Sequence, residues 1–186
     1  GRVFIVQVIG QVAKQVGQFD FKDGIFDLAW SEVDRNSLIA GGGDGKVYKM
    51  TLNSESTTAS ILYTHQKEIS SLDWCPLRQD KFLSTSWDGT IRLFSATGNH
   101  PAIVLRGHSG AVNEARWSPR QVNLLMSVSG DRTARLWDDR TTGNASAIIS
   151  PHESLMVSDL LSLDWNKYDE WNVCTATTSD LLFWDL

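Results

Sequence analysis

The strongest constraint on the fold is an internal repeat with a period of about 43–44 residues. Tryptophans recur with steps of 44, 43 and 48 residues, at Trp30, Trp74, Trp117 and Trp165. Aspartates in turn-like segments recur with steps of 44, 43 and 49, at Asp44, Asp88, Asp131 and Asp180. Histidines recur with steps of 43 and 44, at His65, His108 and His152. Because three markers share one period, the chain is predicted to be an array of similar units, each with the ~40–45 residues of a four-stranded propeller blade.

The unit from Gly107 to Asp138 has the clearest strand pattern. Its first apolar run ends at Pro119, because proline removes a backbone donor and favours a turn. Asp131 follows a glycine in a segment that predicts a hairpin turn. No segment shows a sustained apolar period of 3.6 residues, so few helices are expected. The predicted strands are Val112–Trp117, Leu124–Val128 and Ala134–Trp137, with Ala147–Ile149 beginning the outer strand of the next unit.

The pattern therefore predicts an all-β propeller with about four blades of an expected seven-bladed ring. Asp180 precedes Trp184 by four residues, whereas Asp131 precedes Trp137 by six, so the last strand is expected to be misregistered or poorly formed. Four blades would leave an array with open ends, whereas a propeller closes into a ring. Two or three further blades are therefore expected after Leu186. The predicted divisions are 1–19 as the end of a preceding blade with its outer strand, then repeats over 20–63, 64–105, 106–149 and 150–186, the last incomplete.

Recurring polar residues in each unit are interpreted as structural. A histidine, a turn aspartate and a central hydroxyl could form a buried network, since buried polar groups must be paired. The alternative is a metal site or a catalytic pair, but such a site has no reason to recur in every blade. No metal ligand and no cofactor are therefore expected. The structural set is His65, Asp88, His108, Asp131, Trp137, His152 and Asp180, with Ser86, Ser129 and Thr178 as the hydroxyls.

Composition excludes several classes of function. The net charge of −5 argues against nucleic-acid binding, which calls for a basic face. No apolar run of about 18 residues is present, so insertion into a membrane is not expected. Cys75 and Cys174 lie at non-equivalent repeat positions, as in a reducing compartment. Residues 41–45 form a glycine-rich hairpin turn at a repeat position and not a phosphate loop, and no nucleophile–base pair stands out, so the chain is not expected to be an enzyme.

The repeats resemble those of WD-repeat propellers, with Met50 and Phe94 where the third unit has Trp137. Three segments narrow the resemblance to the peroxin family of import receptors for the type-2, N-terminal peroxisomal targeting signal. These segments are Gly24–Glu32, Phe82–Thr90 and Leu163–Glu170, the last containing Asp-Trp-Asn-Lys-Tyr.

This resemblance implies a receptor without catalytic chemistry, which shuttles between cytosol and peroxisome. Its ligand would be a short amphipathic helix of a cargo protein, with basic and leucine positions. A co-receptor would help to capture this helix, and the complex would then reach the peroxisomal docking complex. The helix would lay its apolar stripe in a groove on one face of the propeller.

The expected contact residues lie where each first strand begins and just before each turn aspartate. Acidic residues at the strand beginnings supply a rim for basic residues of the ligand. Apolar residues two positions further along the first strand, or just before a turn aspartate, supply contacts beside this rim. The alternative is that these are ordinary solvated charges and packed strand residues. The acidic positions are Asp23, Glu68 and Asp159, the apolar ones are Phe26, Trp87 and Leu161, and Asn113 is included as the equivalent of Phe26.

Two other functions remain open from the sequence. Residues 136–140, Leu-Trp-Asp-Asp-Arg, resemble the box by which some WD propellers join a ubiquitin ligase as substrate adaptors. The same residues commonly end a strand and begin a turn. A generic assembly scaffold is the other alternative, and it predicts no preference for basic amphipathic peptides.

Overall fold

The computed structural model describes residues 1–53, 57–96, 98, 101–141, 145–149 and 158–186. All regular structure in these ranges is β-strand. No described segment forms a helix that has the length and apolar character to cross a membrane. The all-β class predicted from the repeat is confirmed.

The strands form one hairpin and four antiparallel sheets, which we call the first to fourth blades. The hairpin joins β1 (Arg2–Ile9) to β2 (Val12–Asp20). The first blade consists of β3 (Ile25–Trp30), β4 (Ser37–Gly42), β5 (Lys46–Leu52) and β6 (Thr57–Thr64). The second consists of β7 (Ile69–Trp74), β8 (Lys81–Ser86), β9 (Thr90–Ser95) and β10 (Pro101–Arg106). The third consists of β11 (Val112–Trp117), β12 (Leu124–Ser129), β13 (Ala134–Asp138) and β14 (Ala147–Ile149). The fourth consists of β15 (Ser162–Trp165), β16 (Asn172–Ala176) and β17 (Leu181–Asp185).

The first strand of each blade lies beside the first strand of the next, so β3, β7, β11 and β15 form the inner layer of a propeller. The blades contact one another through their faces. Between the first and second blades, Ile39 and Val47 contact Phe82 and Phe94. Both faces of the middle strands are covered, and this explains why β8 is buried over nearly its whole length.

The hairpin β1–β2 covers the outer part of one face of the first blade. Its residues Val3 and Phe19 are buried against Leu38, Tyr48 and Met50. Towards the inner strand the same face is open, and Leu28 and Trp30 of β3 are exposed. The assignment of residues 1–19 to the end of a preceding blade stays a prediction.

Two expectations about the strands are wrong. Residues 147–149 belong to the third blade, because β14 is hydrogen-bonded to β13. The last strand, β17, pairs with β16 in regular register from Asn172 opposite Asp185 to Ala176 opposite Leu181. The fourth hairpin is shorter by one residue only, since Trp184 lies nine residues after its hydroxyl partner Thr175 and Trp137 lies ten after Ser127. Counted from Thr175, the aspartate lies one residue later and the tryptophan one residue earlier than their equivalents in the third blade.

Candidate ligand-binding face

One end of the blades, which we call the upper face, is built from turns 43–45, 87–89 and 130–132 and the segments that lead into β3, β7 and β11. A backbone hydrogen bond of the same kind ties each turn to its segment. The amides of Gly43, Trp87 and Gly130 donate to the carbonyls of Gly24, Glu68 and Ala111, at 2.8, 3.1 and 2.9 Å. Residues just before each turn aspartate therefore lie beside the residues that begin each inner strand.

A buried polar chain supports this face in the third blade. The indole Nε1 of Trp137 donates to Ser127 Oγ over 2.8 Å, and that hydroxyl donates to His108 Nε2 over 2.8 Å. Because Asp131 can only accept, His108 Nδ1 carries the proton and donates to Asp131 Oδ2 over 2.9 Å. The second blade repeats the arrangement with His65, and Phe94 there replaces the tryptophan.

The hydroxyls expected in this network are not the ones that contact the histidines. Ser86 and Ser129 accept the amide hydrogens of Asp88 and Asp131 and so stabilise the turns. The ring nitrogen Nδ1 is held at the turn by the aspartate, so Nε2 reaches a hydroxyl farther from the turn. In the second blade this hydroxyl belongs to Ser84, which lies 2.8 Å from His65 Nε2.

The histidine–aspartate pairs are neutral imidazole with ionised carboxylate. Burial lowers the pKa of His65 and His108 despite the raising effect of their aspartates. Burial also acts to raise the pKa of Asp131, but hydrogen bonds from Thr133 and His108 outweigh it and bring this pKa to about 2. The His108 and Asp131 side chains are only 1% and 5% exposed, so these groups cannot meet a ligand directly.

In the fourth blade, the residues expected to form the polar network make other contacts where the structure describes them. His152 lies outside the described residues. Asp180 is exposed, and its carboxylate accepts from Ser179 and Thr177 within its own turn. Thr178 forms a hydrogen bond with Ser158, with 3.1 Å between the oxygens.

An exposed aromatic pair is the main apolar feature of the upper face. Phe26 of the first blade and Trp87 of the second have ring centroids 5.9 Å apart and planes inclined by 37°. They are 52% and 41% exposed, although large aromatic rings are usually buried in a core. The structure thus brings two of the predicted contact residues together across a blade junction.

Acidic groups lie next to this pair. The Glu68 carbonyl accepts the Trp87 amide hydrogen, which holds the two residues side by side. A Cβ atom added to Gly43 would lie 3.2–3.4 Å from atoms of the Asp23 carboxylate, so that carboxylate covers the first-blade turn. Glu68 and Trp87 line an open depression of about 700 Å³. This depression also contains Lys67, which our sequence interpretation missed although it directly precedes Glu68.

The other predicted contact residues form a second group at the junction of the third and fourth blades. Asp159 lies over the third-blade turn, with its Oδ2 atom 3.3 Å from a Cβ added to Gly130. Leu161 is 41% exposed. The Asn113 amide is already engaged, because Nδ2 donates to the Leu160 carbonyl over 2.7 Å. Asn113 therefore fastens two blades together.

Phe26 differs from its repeat equivalents Ser70 and Asn113 in its contact with the next blade. At the same position, Ser70 donates to the Val112 carbonyl of the next blade over 2.6 Å, as Asn113 does to Leu160. Phenylalanine has no donor, so this inter-blade bond is absent between Phe26 and the second blade. At position 26 an exposed apolar side chain therefore stands where the second and third blades have a structural hydrogen bond.

A set of residues that sequence reasoning missed holds the inner strands together. Asp27 Oδ2 accepts the Leu72 amide hydrogen over 2.7 Å, and Glu114 Oε2 accepts that of Leu163 over 2.8 Å. Ser71 Oγ accepts from the Ala115 amide at the equivalent junction, over 3.2 Å. The sequence contains a pattern that predicts this set, because acceptor side chains recur at positions 27, 71 and 114 with the period of the repeat.

Comparison with known proteins supports the assignment of the repeated units as WD repeats. The family of the WD domain, G-beta repeat, matches residues 56–95 and 99–138. The chain is 38% identical over 79 residues to peroxisome biogenesis protein 7 of Arabidopsis thaliana, a match that covers 41% of this chain and 25% of that protein. It is 26% identical over 186 residues to the peroxisomal targeting signal 2 receptor of Schizosaccharomyces pombe, covering 98% of this chain and 58% of that protein.

A crystal structure of the WD40 β-propeller domain of Doa1 superposes with a TM-score of 0.73, covers 90% of this chain and 53% of that one, and is 18% identical. At this identity the likeness shows the fold alone. The resemblance to the import-receptor family is confirmed by the curated relatives. The chain spans about a quarter to somewhat over half of the length of the two relatives named above.

Proposed function

We propose that this WD-repeat chain is part of a receptor that binds the type-2, N-terminal peroxisomal targeting signal of cargo proteins. The observation that carries the proposal is the similarity to a peroxisomal targeting signal 2 receptor along 98% of the chain. The upper face fits such a ligand chemically, because an exposed aromatic pair adjoins carboxylates.

The binding mode follows from that chemistry. One apolar stripe of the amphipathic signal helix lies on Phe26 and Trp87, whose ring centroids are 5.9 Å apart. Basic residues on the flank of the helix pair with Glu68 and Asp23. Leu161 and Asp159 offer a second apolar and acidic set at the third junction. Asn113 contributes by holding that junction, since its amide donates to the Leu160 carbonyl.

The same proposal covers the partners and the place of action. The receptor acts by binding and has no catalytic step. It works with an import co-receptor, delivers cargo to the peroxisomal docking complex and shuttles between cytosol and peroxisome. The role of ubiquitin-ligase adaptor is not favoured, because named relatives are targeting signal receptors and Arg140 pairs with Asp138 inside its own turn.

A binding experiment tests the site. Affinity for a fluorescent basic amphipathic signal peptide is measured for Glu68→Lys and Trp87→Ala. Glu68→Lys should weaken binding through charge repulsion and Trp87→Ala through lost apolar contact, each by roughly 1–3 kcal/mol. Raising the salt concentration should shrink the effect of the first change and not that of the second.

Two variants on the opposite end of the blades serve as controls. Glu32→Lys makes the same charge change in the β3–β4 loop, and Tyr168→Ala removes an aromatic ring that is 92% exposed in the fourth blade. Both should leave the affinity unchanged. Equal losses in the control and test variants, or unchanged affinity in both test variants, would contradict the proposed site.

A further inference from the structure

Successive blades meet at three places, which we call the first, second and third junctions, and the polar bonds across them differ. At the second junction, Asp73 accepts the Trp117 amide hydrogen over 2.8 Å and also pairs with Arg116. At the end opposite the upper face, Lys81 forms an ion pair with Asp139, whose side chain is 1% exposed. These contacts add to the hydrogen bonds that two serines of the second blade form with the third.

The third junction is fastened in a similar way. The Glu114 carboxylate accepts from the Ser162 hydroxyl over 2.6 Å as well as from the Leu163 amide. The indole Nε1 of Trp165 donates to the Arg116 carbonyl over 3.2 Å. Together with the asparagine bond near the upper face, these contacts distribute polar bonds along the junction.

The first junction lacks most of these bonds. Among the described residues, the bond from the Leu72 amide to Asp27 is the only side-chain hydrogen bond or ion pair that crosses it. Ala29 stands where the second blade has an aspartate that accepts an amide hydrogen. Ser37 and Ala96 stand where the second junction has its lysine–aspartate pair, and a crevice of about 250 Å³ lies between the blades there.

The other contacts at the first junction are less directional. Its interior is an apolar cluster shared by both blades. The Arg92 guanidinium of the second blade lies over the Tyr63 ring of the first, 4.2 Å from the ring centroid. Apolar contacts have no preferred direction, whereas a hydrogen bond weakens steeply when its angle changes. Opening the first junction therefore breaks fewer directional bonds than opening either of the others.

The aromatic pair of the upper face spans this junction. Phe26 is the bulge residue of β3, as Ser70 is of β7, and a bulge re-aims its side chain. Ser70 uses this position to bond the next blade, whereas Phe26 contacts the Trp87 ring of the next blade. A ligand that lies on both rings touches two blades, so opening of the junction would separate its two contact surfaces.

We propose that the first junction is a hinge and that a ligand lying on Phe26 and Trp87 holds it closed. The effect of the ligand rests on the proposed function, whereas the hinge is a property of the free protein. A ligand shifts a conformational equilibrium through its different affinities for the two states. A peptide that needs both rings binds the closed junction, so it suppresses opening there and leaves opening of the second junction unchanged.

Hydrogen exchange in the free protein tests the hinge. NMR protection factors are compared for the amides of Leu72 and Trp117, each of which donates to an aspartate of the preceding blade. The factor for Leu72 should be at least about tenfold lower, because opening the second junction breaks several additional hydrogen bonds. Equal factors, or a lower factor for Trp117, would overturn the hinge.

Addition of the basic amphipathic signal peptide tests the coupling. At a peptide concentration about ten times its Kd, exchange at Leu72 should slow by about tenfold and exchange at Trp117 by less than about twofold. Equal slowing at both amides would mean that the peptide stabilises the whole fold, and unchanged exchange at Leu72 would mean that the junction is not coupled to binding. Either result overturns the coupling. A peptide that does not bind overturns the proposed function and the coupling, while the exchange in the free protein still decides the hinge.

Two substitutions of Phe26 provide a matched pair. Phe26→Asn supplies the donor with which Asn113 fastens the third junction, and Phe26→Leu has a similar size without a donor. In the free protein, Phe26→Asn should slow exchange at Leu72 by about two- to tenfold, and Phe26→Leu should not slow it. Unchanged protection of Trp117 shows that both variants are folded. Equal exchange at Leu72 in the two folded variants would contradict the role of the missing bond, and the wild-type comparison decides the hinge if either variant is unfolded.

Discussion

At the scale of single residues, the second and third blades differ by one hydrogen-bond donor. His65 and His108 have equivalent aspartate and serine partners. Of these two blades, only the third has an indole that completes the chain, because Phe94 stands in the second blade where Trp137 stands in the third. The two serines therefore have different numbers of buried partners, and this allows the contribution of the tryptophan to be isolated.

Ser127→Ala is expected to destabilise the protein more than Ser84→Ala. The first change leaves both Trp137 Nε1 and His108 Nε2 without partners, whereas the second leaves only His65 Nε2. Each unsatisfied buried group costs ~1–3 kcal/mol. Free energies of unfolding from urea titrations should differ by at least about 1 kcal/mol. Trp137→Phe should remove this difference, and equal losses in the two original variants would show that the indole bond contributes nothing.

At the scale of elements, the upper-face turns need a residue with positive φ after the aspartate. Gly45 and Gly89 have φ values of 77° and 81°, and Arg132 takes the same place with 65°. An L-residue can thus adopt the conformation at a cost, as the third blade demonstrates. The surroundings of the two glycines differ, however, because a side chain at Gly45 would meet the backbone of the segment before the second blade.

Gly45→Ala should therefore cost more stability than Gly89→Ala. Both changes carry the ~1–2 kcal/mol cost of a left-handed L-residue. A Cβ at position 45 would also lie 2.7 Å from the Lys67 carbonyl oxygen and 2.9 Å from that of His65. At position 89 the nearest atoms are 3.3 and 3.5 Å away. Thermal unfolding of the two variants compares them, and an equal or larger loss for Gly89→Ala would refute the steric argument.

At the scale of the whole molecule, side chains rather than a continuous sheet connect the inner strands. Asp27, Ser71 and Glu114 each accept an amide hydrogen from the next blade. Glu114 does this while its other carboxylate oxygen bonds Arg116, which in turn contacts Asp73. Burial raises the pKa of Asp73 to about 6 against the lowering effect of the Trp117 amide and Arg116. The orientation of each blade thus depends on a few buried or half-buried acceptors.

Loss of one acceptor should loosen one junction and leave the others intact. Glu114→Ala removes the partner of the Leu163 amide, so hydrogen exchange at Leu163 should become faster. The Leu72 amide, which donates to Asp27 at the first junction, serves as an internal reference and should keep its rate. Glu114→Gln retains an acceptor and should fall between wild type and Glu114→Ala. Equal acceleration at Leu163 and Leu72 would mean that the blades do not open separately.

The sequence by itself determined the blades. Strand alternation, turn residues and the 43–44-residue period are local properties, so they predicted the all-β propeller and the pairing of most strands. They also placed Phe26, Trp87 and Glu68 on one face, where the structure brings them together. The role of these residues in binding remains a prediction.

Only the tertiary structure decided which side chains far apart in the sequence contact one another, within a blade and between blades. It showed that Ser84 and Ser127, not Ser86 and Ser129, reach the histidines, and that the Asn113 amide is used by the next blade. It also showed that Ser37 and Ala96 leave a crevice where a neighbouring junction has an ion pair. The physical reason is that such contacts join residues about 20 to 60 positions apart, and their geometry depends on how strands pair within a sheet and how sheets pack on each other, not on any local pattern.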